Sequence, residues 1–317
     1  MERFEDKATA DDEPERIRMF EQAAVWFATM QGGSPSKADR QSLQVWLAAD
    51  ARHAEAYASV ERLWRGSIEL PDLRERHDVV RRAVTRRRIG KALVVATVGF
   101  GIWRVLETHP FADYQTATGE RRAVTLADGS VVDLAADTRL SASLNPDARR
   151  LVLHEGEAFF TVAADSARPF TVEAGKGRTT AYGTAFGIEY RDGSAMIVVT
   201  EHAVGVALDG QSVQVAAGSA ISYEGDKIGL VRRAEAELAW REGRLVFADA
   251  LLGNVVAALN RWRSGRLVIM SNALAKRPVT LIVDLQRSDA IVSQLAEALP
   301  IRIVNVTSYL TLLFPAE

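Results

Sequence analysis

IGKALVVATVGFGIWRVL, residues 89–106, is the stretch whose reading decides the organisation of this chain. As a helix it would reach about 27 Å at ~1.5 Å per residue, close to the roughly 30 Å hydrocarbon core of a bilayer. Its fully uncharged part, Ala92–Trp103, has a length at which buried core helices and signal-type segments also occur, so the flanks must separate these readings. Arg81, Arg82, Arg86, Arg87, Arg88 and Lys91 lie on the N-terminal side, whereas Glu107, Thr108, His109, Pro110 and Asp113 follow. One-sided Lys and Arg hold one end of a span in the cytoplasm, and a soluble core helix has no use for them. Lys91 and Arg104 sit near the ends, where long side chains snorkel to the headgroups. The stretch therefore predicts a single transmembrane helix with its N-terminus inside, oriented by Arg86, Arg87, Arg88 and Lys91. The paired arginines of Thr85–Lys91 also fit a twin-arginine export signal, although an ordinary topology anchor uses the same residues. No small-residue cleavage site follows Leu106 closely, so the segment is expected to remain as an anchor.

Working outward, 317 residues leave room for two or three domains, with a small part on the cytoplasmic side of the span and a larger part on the outer side. A net charge of −2 gives no global reason to expect nucleic acid as a direct partner. The absence of cysteine removes disulfides, thiol nucleophiles and Cys-based metal sites together. A large outer part without disulfides fits a bacterial periplasm. Residues 1–15 are acidic and polar and read as a loose tail, not a signal peptide.

On the cytoplasmic side of the span, residues 16–70 predict a small all-α bundle. Phe20, Ala23, Ala24, Phe27 and Met30 recur at helical spacing, ending near Gly32-Gly33. Ser36 with Asp39 has the spacing of a capping box before Leu43, Trp46 and Leu47. Asp50 caps a third helix carrying Tyr57, Val60, Leu63 and Trp64, which Gly66 and Pro71 would stop. A bundle this small buries little surface and suits a domain that meets a partner. Trp26, Trp46 and Trp64 are core-packing candidates, and any of them left exposed would be an interface anchor. Residues 71–88 form a basic connector, with the lipid surface the nearest thing for it to touch.

Beyond the span, residues 107–232 change to short runs of alternating or β-branched residues such as RAVTL, SVVDL, EAFFTV and AVGVAL. Turn pairs punctuate them at Asp128-Gly129, Asn145-Pro146-Asp147, Asp192-Gly193 and Asp209-Gly210, which predicts an all-β sandwich or roll. Residues 233–317 alternate strands with helices expected at Ala250–Arg261, capped by Asp249, and at Asp289–Ala298. That pattern reads as a small α+β domain. The fold class is thus multidomain, with an all-α bundle, a span, an all-β periplasmic domain and a small α+β C-terminal domain in that order.

These residues also carry a resemblance. TGERRAVTLADGSVVDL, LHEGEAFFTVA, RPFTVEA and YGTAFGIEY resemble, in that order, the periplasmic β-domain of the FecR family of transmembrane sigma-factor regulators. AAVWF, DRQSLQVWLAAD, His53, Ala56, Tyr57 and Leu63-Trp64 resemble the N-terminal domain of the same family. WREGRLVFADALLGNVVAALNRW is similar to its C-terminal domain, which looks like the short domain at the start of secretins and TonB-dependent receptors. Asn260-Arg261-Trp262 stands where that resemblance usually shows Asn-Arg-Tyr.

Conventional chemistry is missing. His53, His77, His109, His154 and His202 show no paired ligand spacing, no metal or cofactor is expected, and no serine lies in a triad-like context. The exception is Gly183-Thr184, where a hydroxyl next to an accessible glycyl carbonyl can attack it if the backbone is strained. Some members of the FecR family are cut at this pair, so the resemblance implies that Gly183 donates the carbonyl and Thr184 the nucleophile. A tight bend entering the next strand is the other reading of the same residues.

The resemblance implies a single-pass regulator in the bacterial inner membrane. In it the inner bundle binds an extracytoplasmic-function sigma factor, and the C-terminal domain meets the signalling domain of a TonB-dependent outer-membrane receptor in iron or siderophore uptake. Membrane proteases would release the inner domain with its sigma factor. The alternatives are a membrane-anchored periplasmic binding protein for a glycan or envelope component, and a soluble protein in which residues 89–106 form a buried helix.

Overall fold

The computed structural model describes residues 13–31, 35–68 and 112–316. They form two compact units, one of residues 112–244 and one that joins the N-terminal helices to residues 245–316. The expected span at 89–106, with Arg86, Arg87, Arg88 and Lys91, lies outside the described residues. Among the described residues no helix is long and apolar enough to cross a membrane.

The N-terminal segment folds as α1 (Glu13–Gln31), α2 (Lys37–Ala49) and α3 (Ala51–Ile68). The capping box forms as the spacing predicts: Asp39 N donates to Ser36 Oγ at 3.1 Å, and Ser36 N donates to the Asp39 carboxylate at 2.9 Å. Asp50 caps α3 by accepting from Arg52 N at 2.8 Å. Hydrogen bonds from the Arg52 side chain and backbone hold that carboxyl down at about 2. Helix α3 runs through Gly66, where a stop was expected. One glycine costs a helix only about 1 kcal/mol relative to alanine.

The β unit holds β1 (Tyr114–Gln115) through β14 (Arg232–Arg233). It is organised by β5 (Arg149–Thr161), a 13-residue strand belonging to two sheets. Its first half pairs with β4 (Arg139–Leu144) and, in parallel, with β6 (Phe170–Ala174). Its second half pairs with β3 (Val131–Leu134) and β8 (Ala185–Arg191). The handover falls at Gly156, whose φ of +108° and 2.4 Å approach of a would-be Cβ to Thr138 exclude other residues. Between the sheets lies one core that includes Phe160, Phe170 and Phe186. The tight hairpins at Asp192-Gly193 and Asp209-Gly210 have both residues at positive φ, as their sequences predict.

From Leu245 onward the chain forms β15 (Arg244–Leu251), α4 (Leu252–Trp262), β16 (Arg266–Ile269), α5 (Asn272–Ala275), β17 (Pro278–Asp284), α6 (Ile291–Ala298), β18 (Ile301–Thr307) and β19 (Leu310–Pro315). The small α+β domain expected over residues 233–317 needs correction. Its strands split into a β15–β17 pair and a β16–β19–β18 sheet, and the N-terminal helices belong to the same unit. The physical reason is that this sheet has two apolar faces. Leu267, Ile269, Ile303 and Leu313 pack in the core of α4 and α6, whereas Val268, Met270, Val306, Leu310, Leu312 and Phe314 pack in a second core with α1 and α3. Asp249 does not cap α4 either: it lies in β15 with φ +50°, and Leu251 takes the N-cap position with no side-chain cap.

Candidate functional site

Gly183 and Thr184 sit in the connection from β7 (Gly177–Ala181) to β8. Gly183 has φ +141°, and a Cβ there would stand 2.9 Å from Ala164 Cα. The loop at 162–168 grips the pair from both sides. Asp165 N donates to Tyr182 O at 3.1 Å, and Val162 N donates to Thr184 O at 2.9 Å. Thr184 is buried, and its Oγ1 has no hydrogen-bond partner among the described residues. A strained glycyl peptide, pinned on both sides and followed by a buried, unpartnered hydroxyl, is geometry a simple bend does not require.

The gripping loop is itself held by Arg149, which sequence reasoning missed. This residue opens β5 with its side chain only 1% exposed, against an Asp128 side chain 7% exposed at 3.1 Å. Its guanidinium donates to the carbonyls of Ala163 at 2.8 Å, Arg168 at 2.6 Å and Asp165 at 3.3 Å. Burial pushes the Asp128 carboxyl up, but hydrogen bonds from the Ser130 side chain and backbone, with the Arg149 guanidinium, outweigh it and hold it below its usual value. Burial of a charge without a partner would be prohibitive, so the carbonyl cluster requires the carboxylate. Asp128 was visible as the first residue of an Asp-Gly turn, but its spatial partner Arg149, 21 positions on, is out of reach of spacing rules.

Trp26, Trp46 and Trp64 are all half-buried. Trp46 stacks on His53 with ring centroids 4.2 Å apart and donates to Gln22 at 3.0 Å, which ties α2 to α1 and α3. Trp64 meets Phe27 edge-on at 5.4 Å. Val45, on the outer side of α2, is 66% exposed. In the C-terminal region Asn260 is a staple: its amide donates to Leu267 O at 2.9 Å and accepts from Leu267 N at 2.7 Å. Trp262 is buried, and Arg261 lies in the last turn of α4.

Trp240 was also overlooked as a site. In the 3-10 turn Ala239–Glu242 it is buried and donates to Glu157, while Arg121 donates to its carbonyl at 3.0 Å. Beside it the Arg241 guanidinium lies 3.6 Å from the Phe159 ring centroid and pairs with Asp133 at 3.0 Å. This latch fastens the end of the β unit onto its own sheet, so the unit extends through Arg244. Among the described residues no group of His, Asp and Glu could hold a metal ion.

Comparison with known proteins follows the same division. Residues 112–205, which contain the Gly183-Thr184 bend and Arg149, match the FecR protein family, and residues 21–63 match a domain of unknown function, DUF4880. Two crystal structures of a candidate anti-sigma factor from Parabacteroides distasonis ATCC 8503 share the fold. One matches at 23% identity and a TM-score of 0.57, covering 64% of this chain and 99% of that one. The other matches at 24% identity and 0.58, covering 64% and 98%. No curated protein matches the chain. The β unit thus carries a FecR domain at residues 112–205, with the DUF4880 helical domain ahead of it at residues 21–63, in the order the motifs predict.

Proposed function

We propose that this protein is a single-pass inner-membrane regulator of an extracytoplasmic-function sigma factor. The observation that carries the reading is the placement of a FecR domain and a helical DUF4880 domain on either side of the apolar stretch 89–106. The helical domain then stands in the cytoplasm and holds the sigma factor, and the FecR domain stands in the periplasm. The name of the Parabacteroides relative supports the same direction. In this reading the C-terminal region receives a signal from the signalling domain of a TonB-dependent receptor in iron or siderophore uptake. Membrane proteases acting outside and then within the span free the helical domain. A lone helix carries binding information poorly, and cutting it is the more direct switch.

Self-cleavage at Gly183-Thr184 belongs to this proposal, supported by the pinned bend and the unpartnered hydroxyl. Thr184 Oγ forms a bond to the Gly183 carbonyl carbon as the C–N bond breaks, and the hydroxyl proton passes to the freed amine. Water then opens the resulting ester, leaving a Gly183 carboxylate and a Thr184 N-terminus.

The test is affinity capture of the full-length chain from solubilised membranes, with mass spectrometry of what copurifies. Recovery of a sigma factor establishes the regulator. A capture that recovers none, from cells shown to express such sigma factors, overturns it. On the same preparation, two fragments meeting at Gly183-Thr184 in the wild type and one intact chain in Thr184→Val are expected; an intact wild type removes the cleavage step alone.

A further inference from the structure

Helices α1 and α3 share one core with the β16–β19–β18 face turned away from α4 and α6. Ala23, Ala24, Phe27 and Val60 pack in it with Val306, Leu310, Leu312 and Phe314. At its edge Glu21 pairs with Arg302, whose guanidinium lies 5.9 Å from the Phe314 ring centroid. Beside it runs a groove of about 520 Å³ lined by Arg16, Ile17, Phe20, Arg62 and Leu63 from the helices and by Arg266, Val268 and Met270 from the sheet. The helices therefore carry an apolar strip with the Glu21 carboxylate at one edge and Arg16 and Arg62 along the groove, fitted to an apolar sheet face on which Arg302 meets Glu21.

A chain threaded through the bilayer at 89–106 cannot make this contact within itself, because residues 13–68 and 245–316 then stand on opposite sides. The strip on α1 and α3 loses its cover, and exposed apolar surface of that extent in water is paired with something. We infer that the α1/α3 strip of Ile17, Phe20, Glu21 and Leu63 is the surface on which the sigma factor docks. The C-terminal sheet displays the complement the strip takes: an apolar patch with an Arg or Lys opposite Glu21. This rests on the regulator reading above and specifies the surface that serves it. The outer side of α2, where Val45 is most exposed, stays clear of the partner.

The experiment uses the full-length chain in its native membranes. A photo-reactive benzoylphenylalanine replaces Glu21 in one variant and Val45 in another, and cross-linked products are identified by mass spectrometry. Adducts from position 21 to a sigma factor, and none from position 45, are expected. Capture by Glu21→Arg combined with Leu63→Glu should fall at least about tenfold, while Val45→Glu stays within about twofold of wild type. Wild-type abundance and wild-type resistance of the N-terminal helices to limited proteolysis show that a variant has folded. Sigma-factor adducts from position 45 alone overturn the inference, as does an adduct from 21 to a second copy of the bundle or to lipid. A cross-link from 21 to the peptide containing Arg302 within one membrane-inserted chain overturns it too, since it puts both faces in one compartment. A wild type that captures no sigma factor overturns the regulator reading itself, whereas a wild type that captures one while the Glu21→Arg, Leu63→Glu variant captures as much overturns only the docking surface.

Discussion

Arg149 holds together what a β-domain of this kind would otherwise leave loose, since one buried guanidinium gathers three loop carbonyls and one carboxylate. Replacing it with methionine leaves Asp128 buried without its cation, and a cost of about 3 to 5 kcal/mol is expected in urea unfolding of the full chain. The pair also sets a pH dependence. Because the folded state holds the Asp128 carboxyl below its unfolded value, the stabilisation is complete above the ordinary aspartate range near ~3.9 and is lost as pH falls through the depressed folded value. The stability gap between wild type and Asp128→Asn should therefore narrow in acid unfolding curves below that range. Thr184 is the opposite case, a buried hydroxyl with no hydrogen-bond partner among the described residues. Thr184→Val keeps the shape and removes the unpaired group, so a gain of about 1 kcal/mol is expected by denaturant melts. A loss of stability would reveal a partner for the hydroxyl.

At the scale of elements, β19 is the strand whose role depends on where the chain sits. Leu313 points into the core of α4 and α6, and its neighbour Leu312 points to the face shared with α1 and α3. In the membrane-inserted protein Leu313→Ala should cost about 2 to 5 kcal/mol, as loss of a core leucine does. Leu312→Ala should cost under about 1 kcal/mol there, because its face then looks away from any helix of its own chain. Equal large costs would place the N-terminal helices on that face. The run Leu310–Phe314 carried this information already: every residue in it is buried, and the lack of polar alternation is the mark of a strand covered on both faces. By contrast, β6 and β10 (Ala203–Leu208) alternate cleanly between buried and half-buried positions, which made them readable as strands of a sandwich.

For the whole molecule, the orientation of the proposed single-pass protein depends on the charge step around residues 89–106. Neutral replacements at Arg86, Arg87 and Arg88 remove most of the cytoplasmic bias, so a mixed orientation is expected from reporter fusions at the two ends. An unchanged orientation would mean that some other signal sets it.

Local rules were enough to read the order of the segments, the capping of α2 and α3, the hairpin turns and the all-β character of residues 112–233. Each of these depends on residues within a few positions of one another, where spacing and side-chain chemistry act directly. The bend at Gly183-Thr184 was visible as a pair, but not its grip by the loop at 162–168 or the dependence of that loop on Arg149. The latch at Trp240, 83 positions from the Glu157 that accepts its hydrogen bond, was equally out of reach. The second face of the C-terminal sheet belongs with them. What only the tertiary structure decided were the contacts between residues far apart in sequence, because a buried charge or an apolar face states that it needs a partner without stating which one.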